Sequence, residues 1–236
     1  QEETEGEDGK THAKPKPEHG LKLAKILAIK SDWDRIVVVL SDFITKGNAT
    51  DDIKLEYMYA YCRKYWNHPE GDEFKKGLED LRMLVSNEAI NPAEIPTWDS
   101  VGQKSISFRA KALYKLGICL EQAGIALEAR DRFSIEARDC FSMSYELRPF
   151  NPYYFVATLE YEISNAADVD LIVRMTEPAV RKAIEACRTH IEIGLELPRA
   201  YIAIAKLHFI LKNVDGAMNA YAKVIDLYLT GTSWVP

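Results

Sequence analysis

The chain lacks any apolar run long enough to cross a bilayer. Its most hydrophobic stretch, Ile36 to Leu40, falls far short of the roughly 18 to 20 residues a membrane helix needs. It also lacks a basic surplus: 30 Lys and Arg stand against 36 Asp and Glu, a net charge of −6. A duplex-binding surface needs the opposite balance, so nucleic acid is set aside as a partner. Cysteine is scarce. Cys62, Cys119, Cys140 and Cys187 are far apart and form no C-x-x-C pair, which excludes a disulfide framework or a zinc knot. Thiols spaced this way fit buried positions in a reducing compartment, so a cytoplasmic location is expected. Phosphate-binding glycine loops, zinc-protease, nucleophile-elbow and EF-hand patterns are all missing, and no enzyme reading gains support. The five histidines show no ligand spacing, and neither a metal nor a cofactor is expected. His68 with Glu70, Asp72 and Glu73 reads as a solvated turn.

What remains is helix. Residues 1–19 mix charge and proline with almost nothing apolar, and read as a disordered tail or linker. From Leu21 the apolar residues recur at helical period between short breakers, with no strand alternation. Asp32 caps a helix carrying Trp33, Ile36, Val37, Leu40 and Phe43, stopped by Gly47. Thr50-Asp51-Asp52 opens another to about Trp66, and Glu73 to Ser86 forms a fourth. Residues 87–103 hold two prolines and a glycine and read as a linker loop. Helical segments resume over 104–231, and 232–236 read as the start of a following segment. Both ends look like cuts in a larger protein.

The second half carries a repeat. Tyr201, Ile204, Ala205 and His208 fit a W-x-x-L-G-x-x-Y first helix; Ala217, Tyr221 and Val224 fit an A-x-x-x-F-x-x-A second helix. Leu113, Leu116, Gly117 and Leu120 start a second match, whose partner helix shows an internal echo, EARDRF at 128–133 and EARDCF at 136–141. That echo predicts a second helix over 126–148, about eight residues longer than standard. Asn151-Pro152 starts a further hairpin, with a long second helix capped by Thr176 and running over 177–197. The two long helices are expected to pack on each other. Over residues 21 to 230 the pattern resembles the tetratricopeptide (TPR) repeat family, most closely after 108, and more weakly in the hairpins of 20–86.

The resemblance implies an all-α fold, a right-handed superhelical array of antiparallel helix hairpins with about ten helices. It also implies a non-enzymatic scaffold or adaptor that takes a protein or peptide on its concave face. Fitting the register places Lys111, Tyr114, Lys115, Ile118 and Gln122, then Phe155 and Leu159, then Arg199, Lys206 and Phe209 on that face. The mix of apolar and basic groups suits a peptide with acidic residues. Tyr57 and Tyr65, in a run dense in tyrosine, are further candidates. The two-carboxylate clamp that some TPR proteins use for chaperone tails is absent: Leu21 and Lys25 stand at its places, with no asparagine. Two other readings stay open. One is a homodimer built through the long helices or the C-terminal end, and the other is a ligand-sensing regulatory module beside a catalytic domain.

Overall fold

The computed structural model describes residues 16–86, 100–126 and 130–230, with side chains left undescribed at 100–102, 125–126 and 130–134. The described residues form ten α-helices and no strand. They are α1 (Pro17–Ile29), α2 (Trp33–Thr45), α3 (Asp51–Lys64), α4 (Asp72–Ser86), α5 (Ser100–Ala126), α6 (Arg130–Leu147), α7 (Pro152–Ser164), α8 (Val169–Glu192), α9 (Leu197–Ile210) and α10 (Val214–Thr230). No helix among the described residues is long and apolar enough to cross a membrane.

Local chemistry starts these helices where the sequence places polar caps. Asp32 accepts a hydrogen bond from the Arg35 N–H, and the Thr50 hydroxyl accepts one from the Ile53 N–H. Asn151 Oδ1 accepts from both Tyr153 and Tyr154 N–H, at 3.0 and 3.3 Å. Each such cap satisfies donors that a helix start otherwise leaves open, worth about 1 kcal/mol.

Several boundaries differ from the expected ones. Pro17 at the first helical position starts α1 four residues before Leu21, so only residues 1–15 of the expected tail lie outside the described residues. Ser100 begins α5 inside the expected linker, whose residues 87–99 lie outside the described ones. The helix expected over 126–148 is described as α6 over Arg130–Leu147, with 127–129 outside the described residues, and α5 before it is itself 27 residues long. Thr176 is not a cap. Asp168 Oδ1 accepts from the Leu171 N–H at 2.9 Å, Asp170 follows in the first turn, and α8 runs on through Pro178. The Thr176 hydroxyl instead donates to the Ile172 carbonyl within that helix. The two long helices do not pack chiefly on each other: α6 packs on α5 and α7, and α8 on α7 and α9. Residues 232–236 lie outside the described ones.

Three buried clusters hold the chain together. Ile36, Leu40 and Phe43 of α2 meet Ala24 and Leu27 of α1 and Ile53 of α3. Leu55, Phe74, Leu81, Leu113, Leu120 and Phe141 join α3 through α6. Val156, Leu159, Val180, Ile184, Ala203 and Leu207 join α7 through α9. Each of the Val, Leu, Ile and Phe side chains among them contributes about 1.5–3 kcal/mol by leaving water. Small residues set the closest crossings. A Cβ at Gly117 would sit 2.7 Å from the Phe141 ring, one at Gly20 2.5 Å from Phe43, and one at Gly77 2.8 Å from Cys62 Sγ.

Beyond consecutive pairs, the odd-numbered helices touch in order. α1 meets α3, α3 meets α5, and α7 meets α9. Tyr114 of α5 and Tyr154 of α7 close the remaining step, ring centroids 5.1 Å apart. This row carries ion pairs between α3 and α5 and between α7 and α9.

Candidate functional site

Every basic residue predicted for the binding face lies on the row of odd helices, and each meets a carboxylate of the same chain. Lys111 on α5 reaches Glu56 at 2.7 Å and Asp52 at 3.2 Å, both on α3. Lys115, one turn further along α5, lies 3.0 Å from Glu56 and 3.8 Å above the Tyr59 ring. Lys206 of α9 bonds Glu160 of α7 at 2.8 Å. Arg199 of α9 reaches Glu196 at 3.2 Å, and its guanidinium lies 4.1 Å from the Tyr153 ring and 4.8 Å from the Tyr114 ring. The lysine pairs join α3 to α5 and α7 to α9, so they act first as fasteners between odd-numbered helices, whereas Arg199 pairs with Glu196 at the start of its own helix.

The electrostatics follow from this enclosure. Burial alone would raise the Glu56 carboxyl, but Lys115 and Lys111 outweigh it and hold the group at about 2. Burial lowers the Lys115 ammonium despite the same carboxylate. For Arg199, burial opposes the charge, and Tyr114 and Glu196 more than restore it, so it is held firmly protonated. Burial likewise pushes the Tyr59 and Tyr153 hydroxyls well above their ordinary 10.0.

The other candidates divide. Gln122 donates to the Trp66 carbonyl at 3.3 Å, and Ile118 packs half-buried on the central core. Leu159 is only 1% exposed, so it belongs to the core and not to a docking face. Its neighbour Phe155 is half-buried against Tyr145, 5.6 Å between centroids. Phe209 alone stands free, at 69% exposure. Tyr57 and Tyr65 flank Tyr61 in a half-buried ladder, with centroids 6.1 and 5.0 Å apart. Tyr57 leans on the first core and Tyr65 on the second, so this ladder joins two cores.

The residue that sequence reasoning missed is Arg63. It continues the Asp52, Glu56, Tyr59 stripe of α3 at helical spacing. Its guanidinium lies 4.6 Å from the Trp33 ring and 4.3 Å from the Trp66 ring, and Nη1 donates to the Tyr59 hydroxyl at 3.2 Å. Nε is buried with no hydrogen-bond partner. No carboxylate among the described residues reaches Arg63 within ion-pair distance, unlike its neighbours Lys111 and Lys115. The group of Arg63, Lys111 and Lys115 against Asp52 and Glu56 therefore keeps one positive charge in surplus. A cation with part of its polar surface buried and unpaired is costly, and native chains rarely leave one so. Its sequence signal is the aromatic flanking, Tyr59 and Trp66 within one turn on either side, which suits a stacked guanidinium.

No three metal-ligating side chains cluster among the described residues. No family model, curated protein or solved structure matches this chain.

Proposed function

We propose that the chain is a non-enzymatic, TPR-like scaffold whose odd-numbered helices form the inner layer of a right-handed superhelical array of helix hairpins. On this reading the inner layer receives a protein segment bearing a carboxylate, which docks at Arg63. The observation that carries the proposal is the Arg63 guanidinium, stacked between Trp33 and Trp66 with no anion of its own. A planar fork held this way has already lost its rotamer freedom, so a carboxylate that meets it gains affinity at little further ordering cost. Arginine beside tryptophan is also a common composition of interface hot spots.

The paired cations refine the earlier expectation of a broadly basic face. Lys111, Lys115, Arg199 and Lys206 already hold carboxylates. Of these and Arg63, Arg63 is the one without a carboxylate among the described residues, so on this reading an acidic partner binds there rather than along a basic stripe. The contiguous odd helices and the glycine-lined crossings at Gly117 and Gly20 support the repeat reading.

The test is a selection from a random peptide display library, followed by affinity measurement on Arg63→Met and Arg63→Lys. The proposal expects enriched peptides to carry Asp or Glu beside apolar residues. It expects Arg63→Met to weaken them about tenfold or more, as loss of a charged hydrogen bond does. Enrichment without acidic residues, or unchanged affinity in Arg63→Met, contradicts it.

A further inference from the structure

We propose that α10 is the contact surface of a homodimer, two copies pairing along this helix in antiparallel fashion. The helix has two apolar faces. Ala217, Ala220 and Val224 are buried within the chain. A second stripe, Val214, Met218, Tyr221, Ile225 and Tyr228, repeats at alternating spacings of four and three, and Leu229 extends it. That alternation is the seam pattern by which two helices pack side by side. All six side chains lie between 40% and 80% exposed. Tyr221 was expected to fill a packed second-helix place; it faces outward, and Ala220 takes the buried one.

Area favours a second copy as the occupant. From those exposures the stripe leaves on the order of 600–700 Å² of largely apolar surface open, close to the about 800 Å² per partner of a standard interface. Monomeric surfaces rarely leave so much contiguous apolar area uncovered. Shape sets the direction. The exposed stripe begins with the small Val214 and ends with the bulky Tyr228 and Leu229, so the seam is thinner at its start than at its end. Antiparallel pairing places the thin end of each copy against the thick end of the other, around one two-fold axis. Charge does not oppose it: Asp215, Lys223 and Asp226 all lie off the stripe, and the Lys223 amine sits 3.7 Å from Asp226.

Light scattering of the full chain over about 1 to 300 µM tests the pairing, since interfaces of this size associate at micromolar concentration or below. The expected result is a mass rising to twice the 26.8 kDa of one chain. The Met218→Glu, Ile225→Glu double variant is expected to stay monomeric with unchanged helical circular dichroism, because both positions are exposed. For direction, Val214→Cys protein is mixed with Tyr228→Cys protein under mild oxidation. Antiparallel pairing expects the mixed disulfide between the two variants. A single-chain mass throughout, a dimer that survives the double variant, or preferential Val214→Cys self-crosslinking would each overturn the proposal.

Discussion

The Lys115 ammonium stands 3.8 Å above the Tyr59 ring while lying 3.0 Å from Glu56, so a cation from α5 is sealed between two side chains of α3. Helices brought together this way resist the exchange of one partner alone. Removing a single charge leaves its buried counterpart uncompensated, whereas removing both need not.

Glu56→Gln is therefore expected to cost on the order of 3 kcal/mol in denaturant unfolding. The Glu56→Gln, Lys115→Met pair is expected to recover at least half of that loss. A double variant no better than the single one would show that the pair is not the energetic unit.

The same carboxylate predicts an acid limb. Its folded value of about 2 lies below its ordinary 4.5. Its contribution is then complete above about pH 4.5 and is lost as pH falls toward 2. Stability measured from pH 6 down to pH 2.5 should fall more steeply in the native chain than in Glu56→Gln. Parallel curves would contradict the depressed value.

Gly117→Ala is expected to destabilise by about 1–3 kcal/mol, because the new methyl would meet the Phe141 ring at 2.7 Å. Adding Phe141→Leu should restore part of the loss by vacating that contact. A neutral Gly117→Ala would mean that α5 and α6 can separate without penalty.

Arg199→Lys keeps the charge yet is expected to cost about 1–2 kcal/mol, since an ammonium cannot face Tyr114, Tyr153 and Glu196 together as a planar guanidinium does. Thermal melting checks it, and an unchanged midpoint would reduce Arg199 to a surface charge.

Helices were legible where local chemistry decides. The Asp32 and Thr50 caps, the Ile36, Leu40, Phe43 stripe and the small residue at Gly117 all stand in the sequence as spacings of a few residues. The helix expected to start at Thr176 starts earlier, although Pro178 just beyond it is a residue that ordinarily marks a helix start. In α8 the Asp168 cap and the burial of Val180, Ile184 and Cys187 carry the helix through it. The pairing of Lys111 and Lys115 with Glu56 joins residues far apart along the chain, and no local period reveals it. The four basic residues share the row of odd helices, but the neutralisation of the three lysines by carboxylates of other helices could not be read from local spacing. Arg63 escaped for the opposite reason: it sits in a tyrosine-rich run whose other members are packing residues.

The most direct test of the binding face is a two-dimensional ¹H–¹⁵N spectrum, including the arginine Nε–H region, recorded while an acidic peptide from the display selection is added. The account predicts saturable shifts of the Arg63 Nε–H signal and of neighbouring amides in α3 and α5. Shifts confined to α10, or a motionless Arg63 signal at saturation, would contradict it.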